Sequence, residues 1–201
     1  MRRGLLAAGK RMVEAERISV APATAGRWAD FEKLMGKRGG AGGCWCMLWR
    51  LSGRDFEAGK GAANRKAMKA VFRSDTPPGL IAYDGAEPVG WCAIAPRAEL
   101  PRLKASRVLR PIDDAPVWSV SCFLIKRSHR RRGISVALLQ AAEDFVRQRG
   151  GSIIEGYPIE PSKSAYPDTF AWTGMANAFR KAGFEEKARR SKTRPIMRRV
   201  L

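Results

Sequence analysis

The sequence predicts an α/β domain: a mixed, mostly antiparallel sheet flanked by helices. Three observations predict it. Residues 117–125 form an unbroken run of apolar, β-branched, Ser and Cys residues, as suits a strand buried on both faces, and the run passes directly into a segment of helical spacing. Asp84-Gly85 stands between two apolar runs, which is a strong short-range hairpin signal. Beyond Gly183, residues 184–190 and 195–200 read as a closing hairpin.

Taken in order, residues 1–17 are basic with a weak helical pattern and read as an extension to the domain proper, residues 18–201. Ile18-Ser19-Val20 reads as a short edge strand. Pro22-Ala23-Thr24 then leads into a helix with Trp28, Phe31, Leu34 and Met35 on one face. Residues 36–43 hold five glycines in eight positions, a loop that cannot be rigid without a partner. Cys44-Trp45-Cys46-Met47-Leu48-Trp49-Arg50 follows, and its density of large side chains predicts a plug over one end of the sheet.

Residues 56–73 read as a single amphipathic helix with Ala63, Ala67, Met68, Val71 and Phe72 inward. Two strands flank the Asp-Gly turn, at 80–83 and 88–96, and a basic connecting segment follows at 101–111. Asp113-Asp114 reads as a turn. After the central strand, Ile134, Leu138, Ala141 and Phe145 set a helix that starts near Arg131 or Gly133 and stops at Gly150-Gly151. A strand at 152–157, a loop with three prolines at 158–167, and a short helix at 174–182 complete the chain before the last hairpin.

At 201 residues with 45% hydrophobic content, the chain suffices for one substantial core and excludes general disorder. Lys and Arg number 38 against 19 Asp and Glu, a formal charge of +19 that attracts polyanions. The charge is spread along the chain without the aromatic–basic alternation that stacks bases, so nucleic acid is not expected as the main partner. Cys44, Cys46, Cys92 and Cys122 read as reduced thiols. Cys44 and Cys46 are too close to bridge easily, and with His129 the only histidine no metal site is expected. The apolar run after Arg2-Arg3 breaks at Gly9-Lys10, and no stretch has the length of a membrane span, so the expected location is cytoplasmic.

The chemistry concentrates where the central strand meets its helix, at Lys126-Arg127-Ser128-His129-Arg130-Arg131-Arg132-Gly133-Ile134-Ser135. A helix start offers unpaired N–H groups and the positive end of a dipole, Gly133 lets a ligand approach the backbone, and five cationic side chains add charge. A solvated basic turn is the plainer alternative. The strand-to-helix setting and two small residues two positions apart favour a pyrophosphate cradle.

Arg130-x-x-Gly133-x-Ser135 resembles the acyl-CoA-binding signature of the GNAT-type N-acetyltransferases, with Ser135 in place of the usual Gly or Ala. The order of strand, helix and Gly183-Phe184 is similar too, so the likeness covers about residues 18–201, and the Cys-Trp-Cys-Met-x-Trp-Arg segment looks like one seen in a bacterial branch of unassigned substrate. The resemblance implies acetyl-CoA as cofactor. Its pyrophosphate would lie on Arg130, Arg131, Arg132, Gly133, Ile134 and Ser135, and its pantetheine arm would pair with the backbone of Phe123, Leu124 and Ile125, where an N–H could stabilise an oxyanion. It implies transfer of the acetyl group to a primary amine of a small-molecule or protein acceptor by direct attack, with the 44–50 segment as a wall of the acceptor pocket.

The family's acid is often a Tyr four residues before Gly-Phe, a position held here by Phe179, so either Tyr166, Tyr157 or a thiol takes its place or the thiolate leaves unassisted. Glu155 and Glu160 are the carboxylates available as base, since residues 155–166 should border the same crevice as Phe123 to Ile125. His129 is expected to pack or to contact phosphate. Two other readings stand beside this one: an acyl-CoA-binding sensor with little turnover, and a basic nucleic-acid-binding module. The sequence sets neither the acceptor nor the oligomeric state, homodimer or otherwise.

Overall fold

A computed structural model describes residues 18–161 and 171–201, so the 1–17 extension and Tyr166 lie outside the described residues. The expected edge strand is β1, Ile18–Pro22, and the aromatic helix after it is α1, Trp28–Met35, which buries Trp28, Phe31 and Met35. Residues 56–73 depart from the single helix expected. α2, Gly53–Ala58, starts at Ser52, whose hydroxyl accepts the Asp55 N–H, and α3, Ala62–Val71, starts after Gly61 at φ 89°. Asn64 makes the break. It is 1% exposed, fills the space a Gly59 side chain would need, and donates to Phe56 O at 3.2 Å. Ala63, expected to face inward, is therefore exposed.

The Asp-Gly hairpin joins β2, Gly79–Asp84, to β3, Glu87–Pro96. A short helix, α4, Pro101–Ala105, lies inside the segment read as a connection. The central strand is β4, Trp118–Ile125, and its helix is α5, Ile134–Arg147, with Gly133 in the left-handed conformation before it. β5, Ile153–Gly156, α6, Ala176–Lys181, β6, Glu185–Arg189, and β7, Pro195–Val200, follow. Among the described residues seven strands make one sheet in the order β1-β2-β3-β4-β5-β7-β6. β4 and β5 run parallel and every other neighbouring pair is antiparallel, as the mixed sheet predicted requires.

The two faces of the sheet are covered differently. On one, α5 sets Leu138, Leu139 and Phe145 among Val120, Ile154 and Met197; a side chain at Gly90 would come within 2.8 Å of Ile134 Cγ2, so glycine there lets the helix seat. On the other, Trp28, Phe31, Phe72 and Trp91 pack with Trp45 and Met47. Each such large apolar side chain contributes roughly 1.5–3 kcal/mol on full burial. The Gly-rich loop finds the partners it needed: Gly61 N donates to Gly43 O at 2.9 Å, Trp45 N to Gly39 O at 3.0 Å, and the Trp45 indole covers Gly39. Trp45 and Met47, expected to plug one end of the sheet, are instead part of the core on this face. Among the described residues no helix is long and apolar enough to cross a membrane, and no cluster of three His, Cys, Asp or Glu could hold a metal.

Candidate active site

The sheet forks at its centre. β5 pairs with β4 only through Trp118↔Ile154, Ser119↔Glu155 and Val120↔Gly156, after which β4 continues to Ile125 without it. A bulge sits at the fork: Ala93 pairs with Cys122 but Ile94 with Val120, so Ser121 has no opposite number on β3. Its carbonyl, turned out of the ladder, accepts the Trp49 indole N–H at 3.2 Å. Past the bulge the edge can be read by alternation. Lys126 N donates to Val89 O at 2.9 Å, so Leu124 also bonds toward β3, while Phe123 and Ile125 turn their backbone groups toward the crevice. Ile125 O accepts Arg130 Nε at 3.3 Å, and Phe123 N donates to Trp172 O at 2.6 Å. The side chains there belong to the cores, with Phe123 and Ile125 on the α5 face and Leu124 on the other.

At the end of this edge a short 3-10 turn, Arg127–His129, leads into the helix. Arg131 at φ 62° and Gly133 at φ 79° curl the chain, among the described residues no side chain caps α5, and the first backbone bonds are from Val136 and Ala137 to Gly133 O at 2.9 and 3.1 Å. A side chain at Gly133 would meet nothing within 4 Å, so the concavity faces open space. Uncapped N–H groups, a dipole terminus and exposed Arg127, Arg130 and Arg131 suit the pyrophosphate of a CoA ester. Ile134, 2% exposed, offers only its backbone, and Ser135 lies half-buried on the first turn.

The β2–β3 hairpin holds this loop in place. His129 is 9% exposed, its Nε2 is 3.3 Å from Asp84 Oδ2 and its Nδ1 is 2.9 Å from Ser128 Oγ. Arg132 Nη1 approaches the same Asp84 oxygen at 3.6 Å, and Lys126 pairs with Glu87. So His129 and Arg132 tie the loop to the β2–β3 hairpin through Asp84.

Glu155 and Tyr157 come together but lie inside. Both are 0% exposed; the Tyr157 hydroxyl donates to Glu155 Oε1 at 2.7 Å and is 2.8 Å from Ser119 Oγ. Arg97 Nη1 also reaches Glu155 Oε1, at 3.0 Å, and Arg198 Nε reaches Oε2 at 2.7 Å. Burial and the neighbouring Glu155 charge push the Tyr157 phenol well above its ordinary range. Glu160 is bound by Arg180 and Arg189, the hydrogen bond from Arg189 being the largest cause holding its carboxyl below the usual range. Phe179, 0% exposed, lies against Gly156, Gly174 and Phe123 beside the fork. Asp113 is a turn, as read, its carboxylate accepting the Ala115 N–H at 3.1 Å, and it also binds Arg198.

Reading the sequence alone missed Trp172, the Ser121 bulge and the arginines on Glu155. Arg198, inside the apolar run of β7 and directly opposite Glu155, carried the one available signal: a cation at an inward strand position needs a buried anion.

A sequence model described as the acetyltransferase (GNAT) family matches residues 45–165. No curated protein sequence matches the chain. Among solved structures, the PaiA N-acetyltransferase from Thermoplasma acidophilum in complex with coenzyme A is similar at TM-score 0.51 and 12% identity, over 92% of this chain and 99% of that one. YncA from Salmonella typhimurium, solved with its cofactor acetyl-CoA, is similar at TM-score 0.51 and 13% identity, over 92% and 94%. An acetyltransferase of the same family from Streptococcus pneumoniae reaches TM-score 0.54 at 10% identity, over 92% and 99%. At such identities the likeness is one of fold.

Proposed function

The chain belongs to the acetyltransferase (GNAT) family and so is an acyltransferase with acetyl-CoA as co-substrate, and on that premise we propose that it acetylates a primary amine by direct attack. One observation carries the reading: the backbone edge of β4 freed by the fork runs straight into the uncapped start of α5. Arg130, Arg131 and the amides of Gly133, Ile134 and Ser135 take the pyrophosphate, Arg132 supports the loop through Asp84, and the edge running from the Phe123 carbonyl through Leu124 to Ile125 takes the pantetheine arm as an added strand, with the Phe123 N–H left for the acyl carbonyl. Bound acetyl-CoA supplies an activated acyl group; the chain supplies alignment, which alone can account for much of an acceleration.

The proton falls to water in the crevice or to Tyr166. Glu155 and Tyr157 take no part in that transfer, since each is already hydrogen-bonded and neither touches solvent. A phenol introduced at the fork offers a test of the missing acid. Phe179→Tyr is expected to raise kcat a few-fold, short of the ~10²–10⁴ typical of a positioned acid, and to add an alkaline limb to the pH–rate profile; a profile identical to the parent's argues against it.

The reading itself is tested by thermal shift and thiol release. Acetyl-CoA should raise Tm where free DNA does not, and thiol release should follow addition of some member of a panel of amines, amino acids and aminoglycosides. Stabilisation without thiol release from any amine would favour a sensor, and stabilisation by DNA alone a nucleic-acid module.

A further inference from the structure

We infer that the chain carries its own competitor for the thioester: the Trp172 carbonyl occupies the Phe123 amide that the acyl group needs. The inference rests on the acetyl-CoA reading above. Phe123 is the first residue past the bulge whose N–H turns into the crevice, and so the donor an acyl carbonyl lying along β4 would reach where the strands part. That N–H already donates to a carbonyl, Trp172 O, at 2.6 Å. One N–H bonded to an acceptor at that distance does not serve a second equally well.

The competing segment is anchored, not incidental. Thr173 is 1% exposed and its hydroxyl accepts Arg194 Nη1 at 2.8 Å. Gly174 at φ 87° packs against the Phe123 and Phe179 rings, leaving no room for a side chain. Its carbonyl accepts the Ile159 N–H at 2.8 Å, so residues 172–174 bridge the two arms of the fork. The Trp172 ring meets Trp49 at 5.9 Å, and Trp49 in turn holds the Ser121 carbonyl of the bulge. Acyl-CoA that claims Phe123 N–H must therefore release Trp172 and alter the tryptophan pair beside it. Because only the chains with Trp172 released are competent, the apparent affinity for acetyl-CoA is lowered by the fraction so released. Coenzyme A without an acyl group has no thioester carbonyl and does not contest that amide.

The test uses the full chain, mixed rapidly with excess acetyl-CoA and followed by tryptophan fluorescence, with calorimetry for affinities. The observed rate is expected to level off with increasing acetyl-CoA, at the rate of Trp172 release. Thr173→Val, which removes the Arg194 anchor, is expected to raise that plateau and tighten acetyl-CoA binding by about tenfold while leaving the affinity for free CoA unchanged. Arg194→Met removes the same anchor from the other side and serves if the first variant fails to fold. A rate that stays linear in acetyl-CoA, together with an unchanged ratio of acetyl-CoA to CoA affinity in the variants, overturns the inference while the cofactor reading stands. Failure of the parent to bind either ligand removes both.

Discussion

Gly133→Glu is expected to abolish measurable acetyl-CoA binding and to leave a folded protein. The added side chain points into open space, so nothing in the core is displaced; the conformational cost of a non-glycine residue at φ 79° is on the order of 1–2 kcal/mol. Its effect on the ligand is far larger. A carboxylate at the helix start both fills the concavity and sets a negative charge against a pyrophosphate that Arg130, Arg131 and the dipole otherwise attract. A loss of two orders of magnitude or more corresponds to roughly 2.7 kcal/mol. The measurement is the acetyl-CoA-induced rise in Tm, which for the parent at 100 times Kd reflects about 2.7 kcal/mol of stabilisation and for the variant should be near zero. Gly133→Ala separates the two causes: it keeps the backbone strain without the charge, and should weaken binding by only about tenfold. Equal affinity in Gly133→Glu and the parent would place the pyrophosphate elsewhere.

How far the sequence reaches depends on the range of the interactions involved. The β4–α5 unit was legible because its signals are local: a buried strand composition, a change of period and a glycine stop all fall between residues 117 and 151. The β2–β3 hairpin was legible for the same reason. The break between α2 and α3 was not. Gly59-Lys60-Gly61 interrupts a good helical pattern, but only the buried Asn64, bonded back to Phe56, makes the interruption favourable. The placement of Glu155 and Tyr157 depends on strand register across residues 97, 119, 155 and 198, which no local pattern encodes. Trp172 was beyond reach for a further reason. Its contact with β4 is made by a peptide carbonyl, which every residue type carries alike.

The buried network under the fork yields the second large effect. Arg198→Met should lower stability by about 3–5 kcal/mol, which for a chain of this size is a fall in Tm on the order of 10 °C. The argument is asymmetric. With Arg198 present, Glu155 has a cation on each oxygen and Tyr157 as a third partner, and desolvation is offset by hydrogen bonds at 2.7–3.0 Å. Without it, Oε2 is left in the interior with no donor, and a buried acceptor without its partner loses far more than the net worth of the bond. Arg198 also holds Asp113 through both terminal nitrogens, at 2.6 and 2.8 Å, and that hydrogen bonding is the main reason the Asp113 carboxyl is lowered from 3.8 to about 2. A carboxylate lowered on folding adds stability that is fully present above its unfolded pKa and is lost as pH falls through the folded one. The parent should therefore lose this contribution between about pH 4 and pH 2, and Arg198→Met should show a flatter acid limb over that window. Calorimetric unfolding of the two proteins across that range reads both effects. A Tm within roughly 2 °C of the parent at neutral pH would mean that water satisfies Glu155, and that the interior around it is wetter than its packing implies.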